Sequence, residues 1–579
     1  MRIHRIPGVI ALAAVSLLLS SALRASEEVV ELPTLTVTDT RDLPQPEKWR
    51  YTTLEGFEVI SSASDRETRR LLRDFEIFRL ALGIVWPLPQ NNPPPSAMIL
   101  CGRNGEFASF LSPEEKKTHS RASLVLNNRE QAFVILDLHS RTVLLNAESV
   151  DIAGDEPMPS EFRIDHYKQL YREYLRYLFS LAQNPPPVWF EEGLSQIIMA
   201  MEFSSRLITI GRIQPGNEIS IEKAWANAQN AAAAEAEDTQ AMIAVAPVED
   251  VDFNVALNRK RLLSFDEFFG VKADSPAARS RLGNNLWAKQ CYAFAHMCLY
   301  GRKGRYEAAF NKLVERASRE PLTPEIFEEC FGKPYNKFLV ELRGYISFTD
   351  YTYRQTKITG ERTLDVPPPE MRDATEGEAM RIKGDAWRLS GQPARARDAL
   401  VAAYIRGERD PAFLSTLGQA ELAAGNTDRA RRFLEVSVPK SPRGSVFVDL
   451  ARLRLDAAIA QPAGPDGKLS DAQLRRVLKP LFDARALPAV SADLYTMIAE
   501  AWLAAYTMPS SDHLAVLTEG VQRFPRSTAL IYAVARLHAR AGNTAAVNAL
   551  AMHGEKISRD DETRARFTAL KADPSNNSH

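Results

Sequence analysis

Residues 165–200 read DHYKQLYREYLRYLFSLAQNPPPVWFEEGLSQIIMA. Tyr167, Leu170, Tyr171, Tyr174, Leu178 and Leu181 step by three and four, the spacing of a buried helical face. Pro185, Pro186 and Pro187 end that helix and set a turn, because proline lacks the N–H that the next helical bond needs. A second helix opens on Trp189-Phe190-Glu191-Glu192-Gly193. The pair carries an unusual polar set for an apolar setting: Arg172, Glu173 and Arg176 on the first helix, Glu191 and Glu192 on the second.

Around this pair lies a chain of 579 residues, 45% hydrophobic and 25% charged, with a formal net charge of -1. That length supports roughly three or four cores. The near-neutral charge gives no case for nucleic acid or an anionic surface as partner. The N-terminus is basic (Arg2, His4, Arg5), then apolar from Val9 to Leu19, then small to Ser26, which predicts a secretory signal over residues 1–25. No later apolar run reaches the ~18 residues of a membrane span, so no integral membrane segment is expected after cleavage, in the periplasm or outside the cell. The four cysteines, Cys101, Cys291, Cys298 and Cys330, form no C-x-x-C pair. Cys291 and Cys298 are too far apart on one helix to bridge, and a Cys298–Cys330 bond stays open.

Residues 26–50 are polar and proline-bearing and predict a mobile, extended leader. Residues 51–155 alternate strand and helix patterns: a hairpin turning at Glu55-Gly56, a helix entered at Ser64-Asp65, and strands near 96–101, 122–126, 131–136 and 142–145. This is an α+β lobe. Residues 156–350 are mainly helical, with an alanine-rich stretch at 224–236 and helices near 284–300, 305–320, 323–331 and 335–347. Residues 351–372, with Pro367-Pro368-Pro369, read as a linker.

From 373 to 570 the chain repeats. Gly384 and Gly418 are 34 residues apart, as are Gly391 and Gly425, which is the tetratricopeptide period. Ala535 and Gly542 mark a third copy. An all-α, tetratricopeptide-like solenoid is expected, with irregular middle repeats, a helix broken at Pro480, and a disordered tail over 571–579. Such an array presents a concave surface to a protein or peptide partner.

In outline, residues 165–200 resemble the active-site helices of gluzincin-type (peptidase MA-like) zinc metallopeptidases. There, H-E-x-x-H lies on the first helix and the Glu of W-x-x-E-G-L on the second supplies the third zinc ligand. The resemblance implies a thermolysin-like domain built from the α+β lobe and the helical lobe, with Glu173 as general base and Glu192 as ligand. Arg172 and Arg176 stand where the two imidazoles would be, and a guanidinium that stays protonated cannot bind a cation. The helix KQCYAFAHMCL, residues 289–299, resembles a later helix of the family, but Ala288 stands where a tyrosine would stabilise the oxyanion.

No catalytic residue, cofactor or bound metal is therefore expected. Arg172 and Arg176 are expected to pair with Glu192 while Glu173 turns to a neighbouring donor. Trp189, Glu191, Tyr292 and His296 are the candidate cleft residues for a peptide. His119, His139 and His166 lack ligand spacing, and His296 and Cys298, two apart on a helix, face different ways. The expected function is that of an exported pseudopeptidase with a binding array. An active zinc peptidase with unorthodox ligands and a purely structural scaffold are the alternatives.

Overall fold

The computed structural model describes residues 31–35, 45–86, 96–112, 115–118, 121–128, 131–145, 160–181, 185–213 and 251–572, the last stretch apart from 259, 280–281, 349, 360–362, 488–489 and 559. The apolar N-terminus over 1–25, the alanine-rich stretch over 224–236, His119 and the tail beyond Ala572 lie outside them.

A mixed sheet forms from β1 (Arg50–Leu54), β2 (Phe57–Ser61), β3 (Ser96–Cys101), β4 (Ser123–Asn127) and β5 (Ala132–Asp137), with the short strand Arg372–Asp373 beside β1. β2, β3 and β5 run parallel; β1 and β4 are antiparallel to their neighbours. Helix α1 (Asp65–Val85) carries the chain from β2 to β3, and the Ser64 side chain caps it by accepting from the Glu67 N–H. Side chains alternate across each strand. Val59, Met98, Leu100, Val134 and Leu136 pack with Phe75 and Phe78 of α1 and with α2 (His166–Ser180). Their neighbours Ile60, Ile99, Phe133 and Ile135 face the opposite way, into a second core.

The second core belongs to the C-terminal array. After α3 (Val188–Met199) and α4 (Leu286–Tyr300), and helices over 307–317, 324–331 and 335–346, come α5 (Glu376–Leu389) with α6 (Pro393–Ile405) and α7 (Pro411–Ala423) with α8 (Thr427–Ser437). Further pairs are α9 (Gly444–Ala460) with α10 (Asp471–Arg485), α11 (Ala492–Ala504) with α12 (Ser511–Arg523), and α13 (Thr528–Arg540) with α14 (Thr544–Ile557), closed by α15 (Asp561–Ala572). This is a tetratricopeptide-like array of helical hairpins. The sequence repeat has a packing cause: a Cβ on Gly384 would lie 3.0 Å from a Leu400 methyl, and one on Gly418 would lie 2.5 Å from the equivalent methyl of Leu434. A larger residue at either position would push that leucine side chain aside.

Trp387, Met380, Ala386 and Leu400 of the first hairpin cover the outer sheet face. The sheet is thus buried on both sides, which alternation alone does not reveal: both of its residue sets are apolar, as in strands covered by helices on each face.

Several expectations change. Residues 26–50 are not simply an extended leader, because Trp49 is buried and Arg50 already belongs to β1. Residues 351–372 are no free linker either. Arg354–Lys357 pairs with Leu207–Ile210, and the next residues after 371 pair with β1, so backbone hydrogen bonds fasten both ends. The boundary at 155/156 falls inside the pairing of Thr142–Leu145 with Ser160–Arg163. Helix α10 continues through Pro480. The proline leaves the Arg476 carbonyl without its helical donor, and Arg454 Nη1 supplies one at 3.1 Å. All four cysteines are free thiols, which closes the Cys298–Cys330 question.

Candidate functional site

Asp165 caps α2, its side chain accepting from the N–H groups of Tyr167 and Lys168. Every residue of α2 from Gln169 to Tyr177 is buried, so charged positions on this helix have nowhere to go but inward. Helix α3 crosses behind it and packs on α4 through Gly193. A Cβ there would lie 2.4 Å from the Cys291 carbonyl oxygen and 2.9 Å from the Ala295 methyl. The glycine lets α3 sit close enough to present Glu192 to α2.

Arg172 and Glu192 form an ion pair through Nη2 and Oε2, with side chains 0% and 4% exposed. Arg176 Nη2 is 3.5 Å from the same carboxylate oxygen, and its Nε donates to Glu191 Oε1 at 3.2 Å. Glu192 Oε1 accepts from Gln196 Nε2, one helical turn on, at 2.9 Å. Gln196 Nε2 also reaches the Gly283 carbonyl at 2.5 Å, and its Oε1 accepts from Lys289 Nζ of α4 at 3.1 Å. Glu173 accepts from Ser123 Oγ of β4 at 2.8 Å and from Arg176 Nη1 at 3.4 Å. Three cations (Arg172, Arg176, Lys289) thus share the space with three carboxylates (Glu173, Glu191, Glu192), and the cluster is internally neutral.

Burial pushes the Glu192 carboxyl upward, but Arg172, Arg176 and the Gln196 bond outweigh it and hold the group below the ordinary carboxylate value. Burial lowers Arg172, against the pull of Glu192; arginine starts so high that it stays charged. Arg176 is raised, since Glu173, Glu191 and Glu192 together overcome its burial.

These residues do not fit a zinc ion. Two guanidinium groups, which carry positive charge of their own, face the Glu192 carboxylate, and it already takes bonds from Arg172, Arg176 and Gln196. Among the described residues, no group of three or more His, Cys, Asp or Glu side chains is arranged to hold a metal. The arrangement joins three helices, α2, α3 and α4, and a sheet edge through charge and directed hydrogen bonds.

The cleft candidates separate. Glu191 is the accessible one, with its side chain 27% exposed. Trp189 is enclosed by the rings of Phe269, Phe294 and Phe310. Tyr292 is buried against Phe253, with Oη donating to Asp252 at 3.3 Å. His296 Nε2 lies 2.6 Å from the Gly211 carbonyl, which can only accept, so Nδ1 takes the proton of Tyr345 Oη at 2.7 Å. Burial lowers this imidazole to about 4. Trp189, Tyr292 and His296 are therefore core residues rather than cleft-lining ones: aromatic rings enclose Trp189, and α4, which carries Tyr292 and His296, is packed on every face instead of one.

Sequence reasoning missed Ser123, Gln196 and Lys289. Gln196, four residues after Glu192, carried a local signal in its helical spacing; Ser123 and Lys289 arrive from distant segments. It also missed a second buried polar group at the start of the array. Asp385 pairs with Arg443 Nη2 at 3.1 Å and Arg388 Nη2 at 3.3 Å, and accepts from Thr416 Oγ1 at 3.1 Å and Gln131 Nε2 at 3.3 Å.

No family model matches the chain, and no curated protein matches it. Among solved structures, a thermophilic tetratricopeptide-repeat protein from Thermus thermophilus is similar over 33% of this chain and 97% of its own, at 17% identity and a TM-score of 0.26. Among the described residues, no helix is long and apolar enough to cross a membrane.

Proposed function

We propose that this chain is an exported, peptidase-like protein without peptidase chemistry, whose helical array binds a protein or peptide partner. One observation carries the first half: guanidinium groups stand at both positions that the gluzincin resemblance gives to zinc's imidazoles, and both reach the carboxylate that would be the third ligand. The charge of a metal is replaced by side chains, and with it the open coordination position that activates water is lost. The basic-apolar N-terminus supports export. Stacked helical hairpins, which elsewhere serve as extended binding surfaces, support the partner role.

The test uses metal analysis and peptide-library cleavage on the purified protein, with R172H/R176H and E192Q. The native chain is expected to hold no stoichiometric zinc and to cleave nothing, while R172H/R176H, with Glu192 beside it, takes up zinc. Stoichiometric zinc in the native chain, with hydrolysis abolished by E192Q, would overturn the proposal. A folded R172H/R176H that ignores zinc would remove the peptidase-like reading of these helices.

A further inference from the structure

The array already holds a peptide: its own. Residues 31–35, Glu-Leu-Pro-Thr-Leu, lie against α6, on a core that also takes in Phe433 of α8. Pro33 is buried, and its carbonyl accepts from Tyr404 Oη of α6 at 2.8 Å in an enclosed bond. Leu32 and Leu35 pack onto the core that contains Leu400, Ala403, Tyr404 and Phe433, while Glu31 and Thr34 point to solvent. Tyr404 is held for this task. Phe433 of α8 meets its ring edge-on at 5.2 Å, and the Arg409 guanidinium stacks 3.7 Å from its centroid.

The seat is shaped for a proline-bearing strand. It takes one main-chain carbonyl and apolar side chains and asks nothing of the proline nitrogen, which has no hydrogen to donate. Proline also keeps such a segment extended beforehand, so little conformational freedom is lost on docking. The anchor of the segment is separate. Glu47 and Trp49 clamp onto α5, where Lys383 pairs with Glu47 and its Nζ lies 4.9 Å from the rings of both Trp49 and Trp387. The seat and the clamp use different residues, Tyr404 for Pro33 and Lys383 for Glu47 and Trp49, so substitutions at residues 31–35 can empty the seat and leave the clamp untouched.

We propose that this seat is a binding site for extended Leu-Pro-x-Leu peptides of a partner protein, and that residues 31–35 occupy it as a tethered competitor. This deepens the reading of the array as a peptide-binding element and rests on it. A tethered occupant acts at high effective concentration, so a free peptide meets a mostly closed site and its apparent affinity falls by the fraction that is open.

The experiment measures fluorescence anisotropy of a labelled VELPTLT peptide with the full chain, with L32D/L35D, with residues 31–35 replaced by Gly and Ser, and with Tyr404→Phe added to each opened variant. The opened variants are expected to bind at least about tenfold more tightly than the native chain. Tyr404→Phe is expected to weaken them several-fold, and a peptide with aspartate at both leucine positions is expected not to bind. If neither opened variant binds more tightly than the native chain, or the aspartate peptide binds equally well, the proposal falls. Binding of unrelated peptides elsewhere on the array, with no preference for Leu-Pro-x-Leu, would sink this inference and leave the broader reading standing.

Discussion

Arg172 and Glu192 lie twenty residues apart in the chain and form one enclosed ion pair, with Arg176 close enough to share the carboxylate. Removing one member leaves a buried charge uncompensated, whereas removing both leaves a gap that apolar atoms can fill. Glu192→Ala should cost about 3–5 kcal/mol in denaturant unfolding, and R172L/E192L should cost less than the single change. The Glu192 carboxyl is lowered in the folded state, so its stabilisation is complete above the unfolded carboxylate value and is lost as pH falls through the folded one. E192Q should accordingly flatten the acid limb of the stability curve.

The sheet's outer face and the first hairpin share a core, which makes the front of the chain and the start of the array one cooperative unit. Trp387 stacks on Phe110 at 5.6 Å and its Nε1 donates to Ser109 Oγ at 3.3 Å. Trp387→Ala should cost about 3–5 kcal/mol. Loss of sheet signal and loss of helix signal at this junction should coincide in circular dichroism and hydrogen exchange; separate transitions would show the two halves to be independent.

His296 gives a pH window of its own. It is neutral and buried in the folded chain, lowered to about 4, while the unfolded imidazole titrates near its ordinary 6.5. Between these values the unfolded state binds the extra proton, so the stabilisation is present above 6.5 and falls away as pH drops toward 4. Thermal midpoints of the native chain should decline through that interval more steeply than those of His296→Gln, which keeps polar contact with Gly211 and Tyr345 but does not titrate.

Arg454 and Pro480 should be coupled. Arg454→Ala removes the donor that serves the Arg476 carbonyl, a loss of about 1 kcal/mol. In a Pro480→Ala background the restored backbone N–H serves that carbonyl instead, so the same change should cost less. A double-mutant cycle with no coupling would assign the arginine to its Glu435 partner, 3.5 Å away, alone.

Legibility differed by element. The 165–200 helix pair was readable because its apolar spacing and its proline turn are local. The hairpin of β1 and β2 was readable from Glu55-Gly56, and the first repeats from glycines that recur in register. The helix through Pro480 was not, since the compensating guanidinium comes from another helix. Nor was the placement of residues 31–35 and 47–49: polar, proline-bearing composition describes a loose leader, and only Tyr404, Lys383 and Trp387, hundreds of positions later, reveal what these residues dock against.

By itself the sequence determined the helix periods, the helix entry at Ser64, the recurring glycines, and the presence of arginines beside glutamates on two adjacent helices. These follow from interactions within a few residues or from exact repetition. Only the tertiary structure decided that Gln196 and Lys289 join the Glu192 cluster, that Ser123 is the donor to Glu173, that both sheet faces are covered, and that the chain seats its own Leu-Pro-Thr-Leu segment. Those are choices among partners far apart in sequence, made by which burial leaves the fewest polar groups unpaired and the least apolar surface in water.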